Sequence, residues 1–226
     1  MGLCAILIAA IVYSIYRYRI NKILEIQKIR QTISKDLHDD IGATVSSINI
    51  LANMAKSDLV SDTRRNQFLE TIQEESKHVS ESLNDIVWSV NPKNDSLDII
   101  IARMQRYASE MFEAKNITYH FVLPESSVDE LHMDMSRRQH VYLIFKEAIN
   151  NLVKYSTATT ADVTLAVNND VFTMIVADNG VGFDPNTVHE GNGILNMKKR
   201  AEDIRAQLAI NSAPGKGVTI QLVVVF

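Results

Sequence analysis

The sequence predicts an α+β protein: a short membrane helix, a helical hairpin that dimerises into a four-helix bundle, and an α/β sandwich with a mainly antiparallel sheet. Three observations predict it. Residues 2–16 carry no charge, residues 20–56 lack proline and repeat apolar residues every three or four positions, and the second half alternates in short strand-like runs. The 226 residues amount to about one and a half average domains.

Composition excludes several classes of protein. Hydrophobic residues make up 46% of the chain and charged residues 22%, which argues against disorder and against a protein with many membrane spans. The net charge is −4, so direct binding of nucleic acid is not expected. Cys4 is the only cysteine, so neither an internal disulfide nor a structural zinc cluster can form, which fits a reducing compartment.

The N-terminal residues favour a membrane helix. The uncharged run at residues 2–16 is followed by Arg17 and Arg19. A spanning helix needs about 20 apolar residues, so residues 1–18 are predicted to be the last part of a truncated membrane helix. The basic side would face the cytoplasm. A buried core helix is the alternative.

Residues 19–92 are predicted to form a juxtamembrane coiled coil and a hairpin of two helices. Apolar residues recur at threes and fours along residues 20–56 and again along residues 68–90. Pro92 disfavours the helical conformation of the residue before it, so the second helix must end near Asn91. A hairpin alone has too little core to be stable, and a homodimer would complete a four-helix bundle.

His38 lies at the polar edge of the first helix. At 100° per residue, the apolar stripe is centred about 65° from His38, so the ring is held by packing yet open to solvent. Asp39 beside it could orient the ring and raise the nucleophilicity of the far nitrogen. The alternative is an ordinary solvated histidine among acidic residues.

Residues 97–226 are predicted to form a layer of helices on a sheet. Helices are expected at residues 97–115, 137–155 and 193–206, and strands at residues 117–123, 161–167, 171–177, 208–211 and 218–225. Turn residues at 168–170 and 214–217 indicate two hairpins among the last four strands.

Four polar clusters stand out in this second part. Glu147, Asn151 and Lys154 recur at spacings of four and three, so they project from one face of a helix. A carboxylate, an amide and an ammonium on one face suit a magnesium ion with a phosphate chain.

The other clusters are the runs DNGVG at residues 178–182, GNG at 191–193 and GKG at 215–217. Asp178 ends a strand and could accept from an exocyclic amine, while the glycines let the backbone approach a ligand. The second run opens a helix, whose free amides favour an anion. Each run alone is also compatible with ordinary turn chemistry.

The four clusters in this order, with His38 upstream, resemble the sensor histidine kinases that have a short phosphoacceptor helix and a Bergerat-type ATP-binding domain. The resemblance runs from about residue 20 to residue 226. It implies that His38 is the phosphoacceptor, that Asp39 is its neighbouring acid, and that Asp178 recognises the adenine amine. It also implies magnesium at Asn151, with Glu147 acting through water, and a short lid at residues 184–190. The nucleotide-binding residues it implies are Asn151, Lys154, Tyr155, Asp178, Gly180, Gly182, Gly191, Gly193, Gly215 and Gly217.

Two positions depart from the family's pattern. Ala43 stands where the family often has a glutamine that positions water, which puts phosphatase activity toward the partner in doubt. Tyr155 stands where a histidine is common; it keeps a ring and a hydrogen-bonding tip but is not a cation, so a positional role is expected.

The resemblance implies a protein histidine kinase that uses ATP and Mg²⁺ and passes the phosphoryl group to an aspartate on the receiver domain of a response regulator. Asp39, or Glu147 through water, is the expected general base. We expect the kinase portion, with its catalytic domain at residues 97–226, on the cytoplasmic side of the bacterial inner membrane. The alternatives are an ATPase or serine-protein kinase of the same fold and a non-catalytic dimerisation module that binds nucleotide.

Overall fold

The computed structural model describes residues 12–20, 41–57, 60–124, 133–168, 170–184 and 192–225. The chain divides into two compact units, Met1–Val90 and Asn91–Phe226. Several predictions fall outside the described residues: the phosphoacceptor His38 with Asp39, the glycine Gly191, and most of the lid.

The first unit contains a pair of helices, α1 (Ala43–Ala55) and α2 (Asp62–Val90). Ser47 Oγ donates a hydrogen bond to Glu75 Oε1 at 3.0 Å, and Arg65 Nε donates to Ala55 O at 3.0 Å. These contacts place the two helices in antiparallel register. The second helix ends at Val90, as Pro92 predicts.

Residues 12–20 are helical, and most of their side chains are exposed. No described helix has both the length and the apolar character needed to cross a membrane. Most of the predicted membrane helix, residues 1–11, lies outside the description.

The second unit alternates helices and strands. After a short 3₁₀ helix (Pro92–Asn94), its elements are α3 (Leu97–Glu113), β1 (Thr118–Val122), α4 (Met135–Tyr155), β2 (Thr160–Asn168), β3 (Val171–Asp178), α5 (Asn192–Asp203), β4 (Gln207–Ser212) and β5 (Val218–Val225). The unit is therefore α+β, as predicted.

The described strands form one sheet in the order β1-β2-β3-β5-β4. The hairpins β2–β3 and β4–β5 pair antiparallel, as does β3 with β5. β1 pairs parallel to β2, because the chain crosses over through α4 between them. The sheet is therefore mixed. The sequence predicted a mainly antiparallel sheet and did not indicate this parallel pair.

The three helices cover one face of this sheet. In β3 the buried residues alternate as Phe172, Met174 and Val176, which is the pattern of a sheet with one covered face. The helices contribute apolar stripes to the same core, including Leu97, Ile100, Met104 and Phe112 from α3, and Ile144, Phe145 and Ile149 from α4.

Candidate functional site

A cavity of about 480 Å³ lies between α4, α5 and the sheet in the second unit. Much of its wall is apolar, formed by Ala148, Leu152, Val176, Met197, Ile210 and Ile220. Its polar lining consists of Glu147, Asn151, Tyr155, Ser156 and Asp178. A largely apolar cavity with a few convergent polar groups is typical of a site for a small molecule.

Asp178 ends β3 and faces this cavity. Burial raises the pKa of its carboxyl, although backbone hydrogen bonds from Gly180 and Val218 act in the opposite direction. Gly180 N donates to Asp178 Oδ1 at 2.7 Å. A half-buried carboxylate beside an apolar wall is poorly solvated, so a ligand that donates a hydrogen bond to it would stabilise its charge.

Gly180 connects the loop after β3 to the end of α4. A Cβ on Gly180 would lie 2.7 Å from Ser156 Cβ, and Val181 N donates to Ser156 O at 2.8 Å. The Ser156 hydroxyl donates to Leu152 O at 2.7 Å and accepts from Ala158 N at 3.0 Å. Ser156 therefore holds the loop, a role that no sequence pattern indicated.

At Gly182 and Gly217 the backbone lies close to the backbone of other segments. Their φ angles are +57° and +69°, in the region that favours glycine. A Cβ on Gly182 would lie 2.7 Å from Gly217 O, and a Cβ on Gly217 would overlap Asp178 O. Gly180 and Gly217 do not line the cavity themselves, so they shape it by bringing its walls together. Gly215, with φ +73°, has open space around it.

Gly193 lies in the first turn of α5 and lines the cavity. A Cβ there would lie 3.0 Å from Glu147 Cδ and 3.4 Å from Asn151 Nδ2. The carboxylate and the amide thus both face the first turn of a helix, where backbone N–H groups lack helical partners. Oxygen donors of this kind fit Mg²⁺, which is usually held by few protein ligands together with phosphates. The described residues contain no group of three or more His, Cys, Asp or Glu placed to hold a metal.

The structure separates two neighbouring residues of α4. Tyr155 lines the cavity, whereas Lys154 is exposed and does not. At 100° per residue, Lys154 lies roughly 100° from the centre of the face that lines the cavity. Lys154 nevertheless lies about 20° from Glu147 and about 60° from Asn151 around the helix, so the three share one face as expected. Of the three, only Glu147 and Asn151 line the cavity.

Two further polar residues hold the loops in place. Ser212 Oγ accepts from Phe183 N at 2.8 Å and donates to Gly217 O at 3.1 Å. Asn179 Oδ1 accepts from Thr159 N and Thr160 N at 3.0 and 2.9 Å. In the sequence, the turn-forming residues at 178–182 could have indicated the role of Asn179. No sequence pattern indicated the role of Ser212, which resembles any other serine at the end of a strand.

Comparison with known proteins adds two matched segments. Residues 30–95 match the family model "Histidine kinase". Residues 136–226 match the family model "Histidine kinase-, DNA gyrase B-, and HSP90-like ATPase".

Curated relatives include UhpB of Salmonella typhimurium, a signal transduction histidine-protein kinase/phosphatase, which is 23% identical over 197 residues and matches 87% of this chain and 39% of UhpB. The sensor histidine kinase YhcY of Bacillus subtilis is 26% identical over 196 residues, covering 85% of this chain and 49% of YhcY. The sensor histidine kinase DesK of the same organism is 24% identical over 209 residues, covering 90% and 53%. The chain thus spans about half or less of the length of these relatives.

Among solved structures, full-length ShkA in complex with AMPPNP superposes with a TM-score of 0.55 at 15% identity, covering 84% of this chain and 45% of ShkA. The histidine kinase AdeS of Acinetobacter baumannii superposes with a TM-score of 0.51 at 10% identity, covering 84% and 96%. At such identities the structures show a shared fold. With a histidine kinase segment at residues 30–95 and a histidine kinase-like ATPase segment at residues 136–226, the chain belongs to the histidine kinases.

Proposed function

We propose that the chain is the transmitter of a sensor histidine kinase, which phosphorylates itself on His38 with ATP and then passes the phosphoryl group to an aspartate of a response regulator. One observation carries the proposal: a single cavity brings the half-buried Asp178 carboxyl and an apolar wall together with Glu147 and Asn151, which face the first turn of α5. The matched histidine kinase and ATPase segments support it.

The apolar wall and Asp178 suit the adenine base. A flat aromatic base would cover the apolar side chains, and its exocyclic amine would donate to the Asp178 carboxylate. Tyr155 lines the same cavity with 70% of its surface exposed, so its ring is available to stack on the base. ShkA, which shares the fold, was solved with AMPPNP, an analogue of ATP.

The first turn of α5 suits the phosphates. Its free N–H groups and the helix dipole favour an anion, and the absence of a side chain on Gly193 lets the Glu147 carboxylate lie directly against this turn. Asn151 would hold Mg²⁺ directly and Glu147 through water; when bound, the ion would neutralise charge on the phosphates. Contacts of Lys154, Gly191 and Gly215 with the phosphates are proposed on the family resemblance.

The transfer step forms a bond between a ring nitrogen of His38 and the γ-phosphorus while the bond from that phosphorus to the bridging oxygen breaks, and ADP leaves. Asp39, or Glu147 through a water molecule, takes the ring proton. Positioning and charge stabilisation supply most of the catalysis in such transfers. In this chain the residues proposed to position the nucleotide are Asp178, Asn151 and Gly193.

We further propose that residues 19–92 dimerise and that residues 97–226 form the catalytic domain. In the single chain several apolar side chains of the hairpin are exposed, among them Ile50, Leu69, Leu83 and Val87. A second copy would cover them in a four-helix bundle. A membrane helix over residues 1–18 would place this transmitter at the inner membrane, with its catalytic domain in the cytoplasm.

Incubation with γ-labelled ATP tests the proposal. We expect label that acid removes and base does not, and we expect His38→Gln to abolish it. His78→Gln is the matched control, since His78 is an exposed histidine on α2; it should keep the label. Label that persists in His38→Gln would overturn the assignment.

Three further measurements separate the alternatives. Nucleotide binding without any label would favour a non-catalytic dimerisation module. Steady release of phosphate without label would favour an ATPase, and acid-stable label would favour a serine kinase.

A further inference from the structure

Arg138, near the start of α4, has a fully buried side chain that is only 1% exposed. Its Nη1 forms an ion pair with the carboxylate of Asp95. A guanidinium stays charged at any physiological pH, and a buried charge is costly unless a counter-charge accompanies it. Asp95, whose side chain is 45% exposed, supplies that counter-charge.

The backbone of Asp95 is held as well. Met133 N donates to Asp95 O at 3.1 Å, and Met133 is buried. Asp95 is thus bound through both its side chain and its backbone to the residues that open α4. Two residues later, Leu97 enters the core with no exposed surface.

The segment before Asp95 is short and ordered. Between the end of α2 at Val90 and Asp95 lie only residues 91–94, and Pro92–Asn94 form a 3₁₀ helix. Lys93 N donates to Asn91 Oδ1 at 3.1 Å, and Asn94 N donates to Asn91 O at 3.0 Å. A short, hydrogen-bonded connection transmits displacement better than a flexible one.

α4 continues without interruption from Arg138 to the cavity. At 1.5 Å per residue, Glu147 lies about 13 Å and Asn151 about 20 Å further along the helix. Arg138 and both of these residues therefore belong to one continuous helix.

Resting on the proposed kinase function, we propose that the Asp95–Arg138 ion pair, here called the linker ion pair, couples the end of the hairpin to the helix that carries Glu147 and Asn151. Both residues are positioning residues. When the ion pair is lost, the nucleotide site still forms, but the segment that follows the hairpin no longer holds the start of α4.

The experiment compares four full-length variants with the parent chain: Asp95→Asn, which keeps the size of the side chain, Arg138→Met, their double variant, and the control Arg137→Met. Arg137 is adjacent in sequence, but its side chain is 33% exposed and pairs with Asp134 at 3.5 Å. Three quantities are measured: the rate of tryptic cleavage after Lys93, the Kd for ATP, and the rate of histidine labelling at saturating ATP.

We expect Asp95→Asn to speed cleavage after Lys93 and to slow labelling by about tenfold, while the Kd for ATP changes by less than about twofold. The double variant should lose no more than Arg138→Met alone, since either change already removes the same ion pair. Arg137→Met should behave like the parent chain in all three measurements.

Unchanged cleavage after Lys93 in Asp95→Asn, or a parallel loss of binding and labelling, would overturn the coupling. Additive effects in the double variant would do the same. The cleavage assay does not require kinase activity. If the parent chain binds ATP but takes up no label, the proposed function fails. The rate of cleavage after Lys93 in Asp95→Asn, compared with the parent chain, still shows whether the ion pair holds the linker.

Discussion

Gly217 lies directly against the backbone of Asp178. A Cβ on Gly217 would overlap Asp178 O and lie 2.7 Å from its carbonyl carbon, and the φ of Gly217 is +69°. A turn between the last two strands thus determines where the half-buried carboxylate lies, although the two residues are far apart in sequence.

Gly217→Ala should therefore disrupt the site. The new methyl group meets a backbone atom, which has little freedom to move, and the positive φ adds strain of about 1–2 kcal/mol. We expect a lowered melting temperature and at least about a tenfold loss in affinity for ATP, equivalent to about 1.4 kcal/mol. Thermal unfolding and nucleotide titration measure the two effects.

Gly215→Ala is the matched control for that variant. Its φ is +73°, yet a Cβ there meets nothing within 4 Å. It should show the backbone strain alone, so its melting temperature should fall less than that of Gly217→Ala. Equal losses of melting temperature in both variants would contradict the steric contact of Gly217 with Asp178.

Asp178→Asn should weaken binding and stabilise the chain without ligand. Burial raises the pKa of Asp178, so at neutral pH the folded state holds a charge in an unfavourable place. The neutral amide removes that cost, yet it offers no charged acceptor to the adenine amine. Hydrogen bonds to charged groups contribute about 1.5–3 kcal/mol, so we expect affinity to fall by about tenfold to a hundredfold.

The effect of Asp178→Asn on the free energy of unfolding should depend on pH in a definite direction. Because the folded pKa of Asp178 lies above the ordinary value of 3.8 for an aspartate carboxyl, the folded state binds more protons than the unfolded state between those two values. The parent chain is less stable than Asp178→Asn at neutral pH, and this difference in the free energy of unfolding shrinks as pH falls through the folded pKa. It disappears near pH 3.8. A difference in stability that stays constant from pH 7 down to that value would contradict the burial of this carboxyl.

Ser212→Ala should loosen the loop after Asp178. It leaves Phe183 N and Gly217 O without their partner, and an unsatisfied buried group costs about 1–3 kcal/mol. We expect a lower melting temperature and a several-fold higher KM for ATP in the labelling assay. Asn211→Ala, at an exposed neighbouring position of β4, should leave both values unchanged. Matching losses in the two variants would show that Ser212 has no special role.

Tyr155→Ala should weaken nucleotide binding with little effect on folding. The ring is largely exposed, and exposed substitutions change stability by about 0.5 kcal/mol or less. An aromatic contact with the base is worth about 0.5–1.5 kcal/mol, so affinity should fall by roughly threefold to tenfold. Tyr155→Phe keeps the ring and should keep the affinity; a similar loss in both variants would contradict stacking.

Local patterns predicted most of the fold. The turn at residues 168–170 joins β2 and β3 in the expected hairpin, and Pro92 follows the end of α2 as expected. Both depend on neighbours in sequence, where turn chemistry and the proline ring act directly. The parallel pairing of β1 with β2 depends on how α4 packs between them, which periodicity does not encode.

Residue types and their local spacing predicted the chemistry: an acid at the end of a strand, a carboxylate and an amide four residues apart on one helix, and glycine runs beside them. The family resemblance added the prediction that His38 is the phosphoacceptor. Only the tertiary structure decided the contacts. It placed Tyr155 rather than Lys154 in the cavity lining, seated Gly217 against Asp178, and paired buried Arg138 with Asp95. Spacing along a helix or turn follows from local geometry, whereas contacts between distant segments follow from packing the whole unit.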